Sequence, residues 1–123
     1  MSPLITSCRW GRVEVEGLSR PLRDAMLFPG GAREWDWRAH GTGHRAGIKI
    51  ADVRALLERG AREVVLGRGR FGLLRVRAET LRMLAEHGIP VHVLRTATAI
   101  RRYNELARAR PDRAVGALIH STC

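Results

Sequence analysis

The chain has 123 residues, 45% of them hydrophobic, the size of one ordinary domain with one core. No apolar run approaches the ~20 residues a bilayer-spanning helix needs, and Met1 to Thr6 lacks the charged and apolar regions of a signal peptide, so a soluble, cytoplasmic single domain over residues 1–123 is expected, with no membrane partner. The formal charge of +10 would suit nucleic acid, but Lys49 is the only lysine and the arginines are spread along the chain, which argues against a specific nucleic-acid site and leaves non-specific attraction at low salt.

From Arg9 to Gly17, Val13 and Val15 alternate with Arg12, Glu14 and Glu16, the period-two pattern of a half-buried strand. Leu18 to Pro21 is turn material. Leu22 to Phe28 reads as a second strand, stopped by Pro29. These two predict a hairpin or meander that delivers a long loop, Pro29 to His44. The loop holds two of the three tryptophans, four glycines and two of the five histidines. Its rings either pin a long connection in place or form a recognition surface.

Beyond the loop the periodicity becomes helical. Ala51 to Arg59 puts Val53, Leu56 and Leu57 on one face, with Asp52 favouring the dipole in the first turn and Gly60 as the C-cap. Glu63 to Gly67 is a short, mostly β-branched run, as in a buried parallel strand. The unit recurs: a helix over Ala78 to His87 closed by Gly88, then the strand Val91 to Leu94. A third copy starts at Thr96, read as an N-cap, and ends in the strand Ala114 to Ile119. Leu73 to Val76 is read as a possible inserted strand. Three helix-then-strand units call for parallel strands. The expected fold is α/β: three layers with a central mixed, largely parallel sheet, helices on its faces, and an N-terminal β-hairpin or meander.

Several motifs invite chemistry. Gly67-Arg68-Gly69-Arg70-Phe71-Gly72 satisfies G-x-G-x-x-G after a predicted strand, but no helix opens at its last glycine and no ribose-binding acid ends the following strand. A tight turn with close backbone packing is the better reading, with weak anion binding by Arg68 and Arg70 left open, and no cofactor is expected. His40 and His44 stand at i, i+4, but Gly41-Thr42-Gly43 forbids a helix between them, and no third ligand falls at metal spacing. They read as solvated loop histidines, with no metal expected. Asp36 with Arg33 or Arg38 reads as a loop-internal ion pair acting as a structural clamp. His120-Ser121-Thr122-Cys123 suggests a thiol nucleophile, but no orienting third group accompanies it, and in this sequence Cys123 would also carry the terminal carboxylate, which disfavours a thiolate. Cys8 and Cys123 are expected to be free thiols.

The segments Pro29-Gly30-Gly31-Ala32-Arg33-Glu34-Trp35-Asp36-Trp37-Arg38, Gly47 to Val53, Leu66 to Gly69 and Gly116 to Cys123 together resemble a small domain-of-unknown-function family. Its members include an adipogenesis-associated cytosolic protein and, more distantly, a mitochondrial complex I assembly factor. The resemblance runs almost end to end and suits a bacterial-type single-domain member. It implies a fold and an assembly or adaptor style, and no reaction. Relatives tend to show Arg-Glu-Thr-Gly-Thr after the second tryptophan, where this chain has Arg38-Ala39-His40-Gly41-Thr42, and prolines in place of Ala46 and Ile50. Had that glutamate been a catalytic acid, this chain would lack it.

The leading expectation is a non-enzymatic protein-interaction or assembly module, its partner another protein, with homo-oligomers open. The alternative is a small-molecule or anion binder, or an enzyme, with a pocket between the tryptophan loop, the Gly67–Gly72 turn and the C-terminus. A basic nucleic-acid binder is third. The binding residues expected are Arg33, Trp35, Asp36, Trp37, Arg38, Arg68, His120, Ser121 and Cys123. The WDWR loop and the HSTC end are expected to share one location.

Overall fold

A computed structural model describes residues 1–109, 112 and 114–123. Two sheets and four helices make up the described fold. Strands β1 (Ile5–Arg9) and β2 (Arg12–Val15) form a small antiparallel hairpin. The main sheet has five strands: β3 (Ala25–Phe28), β4 (Gly31–Glu34), β5 (Glu63–Gly67), β6 (Val91–Leu94) and β7 (Val115–Ile119), in the order β4-β3-β7-β5-β6. It is parallel across β7-β5-β6 and antiparallel across β4-β3-β7. The helices are α1 (Trp37–His40), α2 (Ile50–Glu58), α3 (Ala78–Glu86) and α4 (Thr96–Ala109).

Alternation along the central strands sorts the core into two layers, because successive side chains leave a strand on opposite faces. Ala25, Leu27, Val65, Ala117 and Ile119 face α4 and the hairpin, packing with Val13, Val15, Ala99 and Tyr103. Met26, Phe28, Val64, Leu66 and Leu118 face the other way, against Trp35, Val53 and Leu56 of the loop and α2, and Leu84 of α3. The sheet is therefore the middle of three layers. Gly116 makes this fit possible, since a Cβ there would stand 2.8 Å from Ala61 Cβ and 3.1 Å from the Leu27 carbonyl.

The three helix–strand units appear as α2–β5, α3–β6 and α4–β7. The N-terminal third differs from expectation. The partner of β2 is β1, not the strand that follows; β2 meets the segment before β3 at the isolated Val13–Leu22 bridge, with N···O distances of 2.6 and 2.8 Å. Ile5 to Arg9 lacks a clean apolar alternation, so pattern alone did not reveal it. The glycine-rich stretch is also less of a loop than expected. Phe28 pairs with Gly31 across Pro29-Gly30, and Gly30, at φ 96°, supplies the left-handed residue of a two-residue hairpin turn. Leu73 to Val76 is no strand; only Val76 bridges, to Ile48. Thr96 does not serve as a simple cap. Its hydroxyl donates to the His120 carbonyl at 2.5 Å and accepts from Gly69 N at 2.9 Å, tying three segments together.

Candidate functional site

The tryptophan segment is held from beneath by Asp52. This carboxylate on α2 is 1% exposed and accepts from Trp35 Nε1 (3.1 Å), the Thr42 hydroxyl and Lys49 N (2.9 Å), with His40 Nδ1 at 3.1 Å. Burying a carboxylate this deeply costs stability unless donors surround it, as they do here. Sequence placed Asp52 correctly in a first helical turn; its role as the anchor of the preceding loop could not be read from spacing. Trp35 is 4% exposed and packs 5.5 Å, centroid to centroid, from the half-buried Trp37. Asp36 pairs with backbone instead of a guanidinium. It caps α1 by accepting from Arg38 N at 2.9 Å, and among the described residues no ion pair joins it to Arg33 or Arg38. The cap leaves the carboxylate satisfied locally, as short polar side chains at helix starts generally are. Arg33, Trp35, Asp36, Trp37 and Arg38 together line one cleft of about 630 Å³, with Asp24 at its wall.

The chain end threads into the core beside this segment. His120 N donates to Gly67 O at 3.0 Å, Ser121 N to Asp24 Oδ1 at 3.0 Å, and the Ser121 hydroxyl to Arg23 O. Arg70 N donates to Thr122 O (2.7 Å), while Phe71 N and Leu73 N converge on Cys123 O at 3.0 and 3.2 Å. Gly69 permits the approach: a Cβ there would lie 2.3 Å from the Cys123 carbonyl carbon, and its φ is 99°. The Gly67–Gly72 turn is thus a cradle for the chain's own tail. Arg68 is spent inside that turn, its Nε and Nη2 donating to Leu74 O (2.8 Å) and Gly72 O (3.0 Å).

Loop and tail meet at two imidazoles. His120, 3% exposed, holds Asp24 Oδ1 at 2.9 Å from Nδ1. That oxygen also accepts from Ser121 N, so Nδ1–H donates to it and Nε2 is the ring nitrogen left for other partners. His44 Nε2 lies 3.3 Å from His120 Nε2, and Thr122 Oγ1 lies 3.2 Å from the same atom. The Trp37 ring packs on both imidazoles, at 4.6 Å from His120 and 5.3 Å from His44. Cys123 completes the group; its Sγ and the two ring nitrogens lie within 4.8 Å of one another.

Neither histidine of the loop is simply solvated, contrary to expectation: His40 reaches Asp52 and His44 reaches His120. Metal spacing in sequence reveals only near neighbours, whereas His120 follows the last strand, 76 positions from His44. Asp24 was also missed. The only trace it leaves in the sequence is an acid directly before an apolar strand.

A family of proteins of unknown function, DUF498/DUF598, matches residues 5–120. Among solved structures, a protein designated MT938 is similar at 29% identity over 98% of this chain and 99% of that one, with a TM-score of 0.73. An outer membrane protein from Bartonella henselae is similar at 24% identity, covering 98% and 96%, with a TM-score of 0.74. A Mth938-like domain from Bordetella pertussis is similar at 19% identity, covering 97% and 85%, with a TM-score of 0.69. The latter two likenesses concern the fold alone. With the family model matched over residues 5–120 and the fold shared with these structures, the chain belongs to the DUF498/DUF598 family and carries its Mth938-like fold.

Proposed function

We propose that this protein is a non-enzymatic interaction module that docks an acidic protein partner through an apolar patch beside its tail. The observation that carries the reading is a pair of exposed aromatic rings. Trp10, at the tip of the β1–β2 hairpin, and Phe71, in the Gly67–Gly72 turn, are 57% and 63% exposed and stand 6.2 Å apart. Leu73, 58% exposed, follows Phe71 on the same tail carbonyl. Clustered exposed apolar side chains mark interaction surfaces, and aromatic anchors dominate their energetics. Arg9 and Arg70 flank the rings in the chain, and the overall charge of +10 favours encounter with an acidic surface. Trp35 and Trp37, which sequence suggested as the display surface, are largely turned inward; Trp10 takes that part. Two free thiols suit a reducing, cytoplasmic setting.

Native lysate passed over the immobilised protein, followed by purification of the captured partner, gives a defined pair for titration. Trp10→Ser/Phe71→Ser should weaken that pair by roughly 30-fold or more, the effect of losing an anchor worth about 2 kcal/mol or above, with the melting temperature retained. Equal affinity in the double variant removes the reading.

A second reading, a small-ligand site in the cleft at Trp37, has one observation in its favour. Trp37 Nε1 is buried with no acceptor among the described residues, and a buried donor left unpaired costs about 1–3 kcal/mol. A small carboxylate or phosphate that raises the melting temperature of the parent protein but not of Trp37→Phe would support it; equal shifts in both would exclude it. A nucleic-acid role has only the net charge behind it.

A further inference from the structure

We propose that His44, His120 and Cys123 form a binding site for a zinc-type divalent cation, with ligands distinct from the side chains of the docking patch. Three observations carry this. The first is the ligand spacing. Two imidazole nitrogens at about 2.0–2.1 Å from a tetrahedral zinc stand about 3.3–3.4 Å apart, and His44 Nε2 and His120 Nε2 are 3.3 Å apart. The thiol sulfur lies within 4.8 Å of a ring nitrogen of each histidine, against about 3.5 Å for a nitrogen–sulfur edge of the same tetrahedron, so the sulfur must draw inward for the site to close.

The second observation is the support behind the ligands. Asp24 Oδ1 takes the Nδ1 side of His120 at 2.9 Å and is itself held by Ser121 N. This is the carboxylate–histidine arrangement that orients a metal-bound imidazole and raises its basicity. Trp37 packs on both rings and fixes their planes. The Cys123 backbone is pinned by Phe71 N and Leu73 N.

The third observation is donor chemistry. Two imidazoles with a thiolate are borderline-to-soft ligands, which select zinc over magnesium or calcium. The Asp24 carboxylate oxygen behind His120 is already engaged by Nδ1. His44 is exposed and offers an entry path. Zinc replaces the Cys123 thiol proton, which passes to solvent, and the Thr122 hydroxyl gives up its contact with His120 Nε2. Three protein ligands leave a fourth position for water or another small donor.

Cobalt titration of the tag-free, reduced protein tests the site, because a thiolate on tetrahedral Co²⁺ gives a charge-transfer band beside strong visible absorption. We expect one equivalent to bind, with both features bleached by zinc. His44→Ala, at an exposed position that spares the fold, and Cys123→Ser, which keeps the docked backbone, should each weaken binding at least tenfold and abolish the charge-transfer band in the latter. Cys8→Ser is the control: its thiol lies 3.6 Å from Arg70 Nη2 and is pushed up by burial against the pull of that guanidinium, and its loss should change nothing. The absence of a thiolate band in the parent, or unchanged affinity in both ligand variants, would show that His44 and His120 merely hydrogen-bond, and would end the proposal. Trp10→Ser/Phe71→Ser should bind cobalt as the parent does, so failure of either reading leaves the other standing.

Discussion

Replacing Gly69 by alanine asks how much stability the docked tail contributes. The residue sits at φ 99°, a conformation that costs an L-residue about 1 kcal/mol or more. The new Cβ would also meet three backbone atoms: Cys123 C at 2.3 Å, Cys123 O at 2.7 Å and Thr122 O at 2.8 Å. None can rotate away, so the tail must retreat by about 1 Å to reach ordinary contact. That retreat breaks the bonds from Arg70 N, Phe71 N and Leu73 N to the same two carbonyls, each worth about 1 kcal/mol. The expected loss is about 4 kcal/mol. Gly72→Ala is the matched control: its φ is 68°, but the nearest atoms belong to the flexible Arg95 side chain at 3.4 Å, so only about 1 kcal/mol is expected. Urea unfolding with a shared m-value gives both numbers. A difference between the two variants below about 1 kcal/mol would refute the view that the tail is locked by Gly69.

Trp35→Ala should cost about 3–5 kcal/mol, since the ring is buried and its Nε1 serves Asp52; Trp37→Ala should cost less because that ring is half-exposed, and equal or reversed losses in chemical denaturation would contradict the assigned packing. Alkaline pH should destabilise the fold through Tyr103, whose hydroxyl donates to Pro3 O at 2.5 Å and whose ionisation is pushed well above the ordinary value of 10.0, chiefly by burial and further by Glu16, against a hydrogen bond from Ser2. The sign follows from linkage: above pH 10 the unfolded chain releases the phenol proton while the folded one keeps it, so stability is intact below pH 10 and falls as pH rises beyond it. Tyr103→Phe should lose about 1 kcal/mol at neutral pH and show a shallower alkaline decline; parallel pH profiles for parent and variant would count against it.

The repeating part of the fold was legible because its signals are local. Alternating helical and β-branched runs, with Gly60 and Gly88 at the helix ends, mark α2–β5 and α3–β6 without any tertiary information. The N-terminal strands were harder. Arg12 to Val15 alternates clearly, but its partner, Ile5 to Arg9, is defined by pairing and not by pattern. Gly30 and Gly31 suggested a loop because the hairpin turned at Pro29-Gly30 has a short, partly exposed outer strand, Gly31–Glu34. At the candidate site, the family motifs brought the WDWR and HSTC segments forward, and the rings of Trp37 and His120 stand 4.6 Å apart. The chemistry between them was hidden, because His44, Asp24 and Cys123 belong to three separate segments that only the folded sheet unites.

The proposed zinc site joins loop and tail through His44, His120 and Cys123. X-ray absorption at the zinc edge, on tag-free protein loaded with one equivalent, measures that directly. Two nitrogen scatterers at about 2.0–2.1 Å and one sulfur at about 2.3 Å are predicted, with the sulfur lost in Cys123→Ser. A first shell of nitrogen and oxygen without sulfur, or sulfur that persists in Cys123→Ser, would contradict it.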